Sequence, residues 1–343
     1  MANQLKALRK DFIGKVEKLE EVKEILKTEF MGIDYIIDDI VDNVRSWYTM
    51  SSIQDRPSVI NLWGLTGVGK TSLILRLMEL LNFSDQTYRL DLGEKEGNMS
   101  FRNTISDLCE NKEDDPIVIL LDEFQHARTL RGPLREEISN DKSRMVWELI
   151  DSGKLSYTDW KRGLMNFEDL ALRLKRLLQS GIKVNKGMVT AGIELYKDEM
   201  DAHTWEEDEP IQFLPKDEYE NMLYFAGDKL DLKIKKEVEE EVLLMDGRQT
   251  VEFMFKVIRL SQRPSIKSFT KALIVILGNI DEAYTMGSNY SSEISADEFY
   301  EESLKITLPD MKTALRMRFR DEQISRLGNT HIIYPALSSS AYK

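Results

Sequence analysis

The run Gly64-Leu65-Thr66-Gly67-Val68-Gly69-Lys70-Thr71 fits the phosphate-binding pattern G-x-x-x-x-G-K-[ST]. Glycines let successive backbone N–H groups curl around a β-phosphate, and a helix that begins at the same point directs its positive end at the charge. In this pattern Lys70 reaches the β- and γ-phosphates, the Thr71 hydroxyl ligates Mg²⁺, and Ser72 follows on the first helical turn. The flanks supply the required context. Val59-Ile60-Asn61-Leu62-Trp63 precedes the loop as an apolar, β-prone segment, and Ser72 to Leu81 follows with leucines at helical spacing. The expected ligand is ATP with Mg²⁺.

A second site element lies downstream. Asp115-Pro116 breaks the chain, then Ile117-Val118-Ile119-Leu120-Leu121 runs without a polar residue into Asp122-Glu123. A continuously apolar strand is one buried on both faces of a parallel sheet, and ligands of such sheets bind beyond the carboxyl ends of the strands. Asp122 is therefore expected to hold Mg²⁺ through water and Glu123 to polarise the attacking water. Thr87 to Leu92 predicts another strand, Ala272 to Leu277 a fourth ending in Gly278-Asn279, and His331 to Tyr334 a fifth. Asn279 is either an ordinary turn residue or a hydrogen-bond donor to the γ-phosphate or the lytic water. A helix predicted from Pro309 to about Leu327 carries Arg316, Arg318, Arg320 and Arg326. An arginine placed at a subunit edge acts in trans on a neighbour's nucleotide.

These residues, in this order, resemble the AAA+ ATPases and, within them, the Clp unfoldases. Thr66 to Thr71 reproduces the wording TGVGKT, Leu90-Asp91-Leu92-Gly93-Glu94 resembles the second strand and its turn, and Trp147 to Leu155 resembles the helix and "DDGRL" turn after the Walker B strand. Phe30 to Pro57 resembles the leading segment, and His331 to Leu337 the final strand and exit. The resemblance implies a sensor role for Asn279 and a trans-acting arginine finger at Arg326 within Arg318-Phe319-Arg320-Asp321-Glu322-Gln323-Ile324-Ser325-Arg326, with Arg320 next in line. It implies an α/β fold, a three-layer P-loop AAA+ architecture with a parallel sheet of order 5-1-4-3-2 and helices on both faces. It also implies ATP hydrolysis in a ring or other homo-oligomer, a hexamer, that remodels protein clients. The chain departs from the family in three places. Glu94 to Asp115 contains no aromatic-Val-Gly tripeptide and only one aromatic, Phe101. Residues 156–267 have no counterpart. The small helical lid is expected to be absent from this chain.

The expected organisation is an N-terminal helix (1–27), a first core part (28–155), a mostly helical insertion (156–267) and a second core part (268–343). Within the insertion, helices are predicted at Phe167–Leu178, Leu214–Leu230, Ile234–Met245 and Thr250–Leu260, while Gly187–Gly192 is open between strand and helix. The insertion is the expected contact for a protein client or effector. Composition bounds the rest. At 343 residues, 42% apolar and 31% charged with a net charge of −13, the chain reads as globular and acidic, which makes a nucleic-acid partner unexpected. A local basic patch (Lys161-Arg162, Arg173, Lys175, Arg176) and the acidic run Trp205 to Pro210 read as solvated surface. No apolar run approaches the ~20 residues of a membrane helix, so no membrane partner is expected, and Met1 to Lys6 lacks the apolar core expected of a signal peptide. Cys109 is the only cysteine, which excludes an internal disulfide and points to the cytoplasm. His126, His203 and His331 lack metal-ligand spacing. Alternatives to the remodeller are a nucleotide-dependent switch or scaffold recruiting an effector, as in bacterial defence or mobile elements, and a DNA remodeller.

Overall fold

The computed structural model describes residues 2–94, 99–110, 115–131, 135–138, 141–157, 161, 163–200, 210–284 and 295–339. The side chain of Phe101, Arg162, His203 and the acidic run 205–209 lie outside the described residues. The chain divides into two compact units, Met1–Ser156 with Ile266–Lys343, and Tyr157–Ser265.

The first unit is α/β. Its sheet contains β1 (Ser58–Trp63), β2 (Thr87–Asp91), β3 (Val118–Asp122), β4 (Leu273–Gly278) and β5 (His331–Ile333), all parallel, in the order β5-β1-β4-β3-β2. This is 5-1-4-3-2 when the strands of the sheet alone are counted. Over all described strands the order is 11-1-10-3-2, because short strands of two-stranded ribbons intervene between β3 and β4. Each crossover brings a helix onto the sheet, so β3 and β4 are buried along their whole length, which explains why both read as unbroken apolar runs.

Alternate residues of these strands face two different cores. Ile60, Leu62, Val118, Leu120, Val275 and Leu277 pack with α1 (Ala2–Glu29), α2 (Asp34–Met50) and α3 (Lys70–Leu80) through Leu19, Val22, Ile37, Val44, Leu73 and Leu77. On the other face Trp63 meets Phe124, which also meets Trp147 of the helix Asp141–Ser152 and Phe319, with centroids 5.4–6.1 Å apart. Asn61 is buried between the strands' apolar neighbours. Its Nδ2 donates to the carbonyls of Leu327 and Thr330, both at 2.8 Å, and so ties the approach of the edge strand β5 to β1.

The helix expected from Pro309 to Leu327 is two helices, Leu308–Arg316 and Asp321–Arg326. The break turns Phe319 into the aromatic cluster and frees the Arg318 carbonyl, which accepts from the N–H groups of Thr129 and Leu130, both at 3.1 Å. Burial of one ring and two tertiary hydrogen bonds outweigh continuation of a surface helix.

The second unit has its own core, built from Phe167, Leu174, Leu177, Tyr196, Phe213, Phe225, Met254 and Val257. Its helices include Leu164–Gln179, Glu218–Leu230, Lys235–Val242 and Gly247–Ser261. The second starts later than expected because Pro215 disfavours helical geometry at Leu214. Met188–Ala191 is a strand paired with Lys183–Asn185, which settles the segment that pattern left open. Among the described residues no helix is long and apolar enough to cross a membrane.

Gly278 ends β4 directly beneath Trp63. A Cβ there would lie 2.2 Å from Trp63 Cζ3, an impossible approach to a rigid ring. Gly278→Ala is therefore expected to lower the stability of the first unit by about 1–3 kcal/mol, read as a reduced melting temperature. Pairing it with Trp63→Leu, which vacates the space, should recover part of the loss relative to the sum of the single variants.

Candidate functional site: a phosphate cradle at the carboxyl edge of the sheet

The turn between β1 and α3 has the geometry of an anion cradle. Gly67 and Gly69 have φ of +83° and +90°, values that side chains rarely tolerate, and α3 begins at the next residue, Lys70. Leucines on α3 anchor the helix in the core, so its N-terminus is fixed at the sheet edge. The Lys70 side chain folds back over the turn, where Nζ donates to the carbonyls of Gly64 (3.0 Å) and Leu65 (2.6 Å). It is 9% exposed, and burial pushes its pKa down to about 8 against the opposing pull of Asp122 and Glu123. A cavity of about 210 Å³ is lined by Thr66, Gly67, Gly69, Lys70, Thr71, Ser72, Asp122, Glu123, Leu277 and Asn279. The sequence-selected residues thus converge, with Gly64 supplying a carbonyl behind the loop and Val68 buried beneath it.

Thr71 and Asp122, the two residues expected to hold Mg²⁺, lie side by side. Thr71 Oγ1 donates to Asp122 Oδ2 at 3.2 Å, so the hydroxyl and carboxylate face one point. Arg89 of β2 places Nε and Nη2 at 2.9 and 2.7 Å from the same Oδ2. A cation therefore already stands at this carboxylate, and the oxygen donors suit a hard dication. Mg²⁺ commonly takes only one or two protein oxygens, with phosphates and water completing its shell. Among the described residues there is no cluster of three or more histidine, cysteine, aspartate or glutamate side chains able to hold a metal alone.

Glu123 sits in the left-handed region at φ +53°, uncommon for a residue with a side chain, and its N–H donates to Asp122 Oδ1 at 2.9 Å. Gln125 links it to the neighbouring strand. The Gln125 amide donates to Glu123 Oε2, and Gln125 Oε1 accepts from the Asn279 N–H at 2.9 Å. Asn279 in turn donates from Nδ2 to Thr66 Oγ1 at 2.5 Å, closing a circuit from the glutamate to the cradle. Its Oδ1 is buried without a hydrogen-bond partner.

Arg320 and Arg326 are not part of this cavity. Arg320 Nη1 lies 3.6 Å from both Glu137 and Glu322, and Arg326 Nη1 lies 3.8 Å from Asp151. Both line a separate cavity of about 370 Å³ with Trp147 and Glu148. Of the histidines, His331 accepts from Trp63 Nε1 at 3.0 Å and is held below its ordinary pKa by burial, while His126 is exposed. Sequence reasoning missed the roles of Arg89 and Gln125. A charged residue inside a short strand and an amide two positions after the carboxylate pair were the available signals.

Because Lys70 is the buried cation of the cradle, Lys70→Ala should abolish binding of a fluorescent ATP analogue while leaving the fold intact by circular dichroism. Unchanged affinity would remove the phosphate assignment.

No protein-family profile matches the sequence, and no curated protein matches it. In structure the chain is similar to the Saccharomyces cerevisiae Hsp104–ADP complex, at TM-score 0.45 and 15% identity over 95% of this chain and 37% of that one. It is similar also to Hsp104 with ATPγS and FITC-casein in a closed state (TM-score 0.45, 15% identity, 96% and 37% covered). A third, the S. cerevisiae Hsp104–casein complex in an extended conformation, gives TM-score 0.43 at 16% identity, with 95% and 37% covered. The chain spans under two fifths of the length of these structures.

Proposed function

We propose that this protein binds and hydrolyses ATP with Mg²⁺, and that it works as an oligomeric remodeller of protein clients or complexes. The convergence of Lys70, Thr71, Asp122, Glu123 and Asn279 on one small cavity carries this reading. Lys70, released from the Gly64 and Leu65 carbonyls, neutralises phosphate charge, which costs little because those contacts are to neutral groups. Thr71 and Asp122 hold Mg²⁺, which supplies further charge neutralisation when bound. Glu123 accepts a proton from the attacking water, and Asn279, through its amide, orients that water or the terminal phosphate. Gln125 fixes one oxygen of Glu123 and leaves the other for the water. Arg326 acts from a neighbouring subunit, with Arg320 second in line, since neither reaches the cavity of its own chain. A hexameric ring in the cytoplasm is the assembly this implies.

A second reading is a nucleotide-dependent switch that recruits an effector. The separate core of the Tyr157–Ser265 unit favours it, as does the lack of an aromatic-Val-Gly tripeptide between Glu94 and Asp115.

Sedimentation velocity on Glu123→Gln with ATP and with ADP separates the two readings. An ATP-dependent hexamer is the expected outcome for the remodeller, whereas a monomer or dimer in both states leaves Arg326 with nothing to act on and favours the switch. Arg326→Ala should retain ATP binding and lose at least ~10³-fold in turnover. Hydrolysis at the wild-type rate would place the finger elsewhere.

A further inference from the structure

One oxygen of Asp122, Oδ2, is saturated. Its Oδ2 is approached by three donors, Arg89 Nε at 2.9 Å, Arg89 Nη2 at 2.7 Å and Thr71 Oγ1 at 3.2 Å, and its Oδ1 accepts the Glu123 N–H at 2.9 Å. A carboxylate oxygen offers two lone pairs, so Oδ2 has no capacity left for a metal ion or for a water bound to one. The donors are not equally able to leave. Thr71 is fixed on the first turn of α3, and the Glu123 N–H is backbone. Arg89 is different, because its side chain is 50% exposed while that of Asp122 is 8% exposed. The guanidinium can move into water at small cost, whereas the carboxylate cannot follow it. Left without a cation, a buried carboxylate is strongly disfavoured. Lys70, the cation that lines the cavity, is engaged by the Gly64 and Leu65 carbonyls.

We propose that Arg89 is a resident counter-ion of the metal site, which Mg²⁺ must displace to reach Asp122 Oδ2, the oxygen that faces Thr71. Resting on the nucleotide reading above, this makes Arg89 a positioning residue that competes with the metal. It keeps Asp122 aimed when metal is absent, and it raises the Mg²⁺ concentration at which the nucleotide complex forms. Metal arrival frees a guanidinium beside Asp122, so metal occupancy becomes coupled to the charge available there.

The test is binding of the fluorescent ATP analogue to the full chain during a Mg²⁺ titration, comparing wild type with Arg89→Met, which keeps the stem, and Arg89→Lys, which keeps the charge. Arg89→Met should lower the half-saturating Mg²⁺ by about tenfold, as expected when a competitor is removed. Arg89→Lys should fall between it and wild type, and affinity at saturating Mg²⁺ should match wild type in both. The melting temperature of Arg89→Met should drop without metal and return to the wild-type value with Mg²⁺ and nucleotide. A half-saturating Mg²⁺ that is unchanged or raised overturns the proposal, as does a stability loss that metal does not repair. Lys70→Ala run in parallel reports on the nucleotide reading itself. Its loss of binding alongside an unshifted Mg²⁺ midpoint would sink the role of Arg89 alone.

Discussion

The hydrogen-bond ladder that runs from β1 to β4 and from β4 to β3 in parallel register brings the ends of three apolar strands to one edge. Residue pairs such as Trp63 with Gly278 and Ile276 with Leu121 fix how far each strand extends. The residues that follow, Gly64, Glu123 and Asn279, must then emerge side by side. Everything polar in the site depends on this alignment. If β4 slipped by one residue, Trp63 would lose the space above Gly278 and the Asn279 N–H would leave Gln125.

Concentrating polar groups at a dry edge creates an electrostatic problem that local contacts solve in a specific way. The Lys70 ammonium is satisfied by neutral carbonyls rather than by the nearby carboxylates, so it remains available to an anion. The Asp122 carboxylate is satisfied by Arg89, an exposed and therefore exchangeable cation. Cation and anion thus each have partners yet are unspent on each other. An ion pair between Lys70 and Asp122 would instead have to be broken before either group could meet another charge.

The second unit is inserted where the first can accommodate it. The chain leaves the first unit after Ser156 and returns at Ile266, and close to these points the Phe269 N–H donates to the Gly153 carbonyl at 2.7 Å. Exit and return points are side by side within the first unit, so residues 157–265 fold around their own core without interrupting the ladder of the sheet.

The sequence by itself determined the strands, the cradle and the carboxylate pair, because each is written in contiguous residues. Parallel burial demands unbroken apolar runs, a phosphate turn demands glycines at fixed spacing, and the carboxylates follow their strand directly. Asn279 was legible only by its place after β4. Tertiary structure alone decided which side chains pair across strands. Arg89 and Gln125 find Glu123, Asp122 and Asn279 through register and side-chain reach, neither of which has a signature in the local pattern. The same holds for the split of the segment 309–327, where propensity favours one helix and the aromatic pocket around Phe124 and Trp147 draws Phe319 out of it. Local physics specifies elements and turns, but long-range contacts choose among locally similar conformations, since only they bury a ring or satisfy a buried polar group.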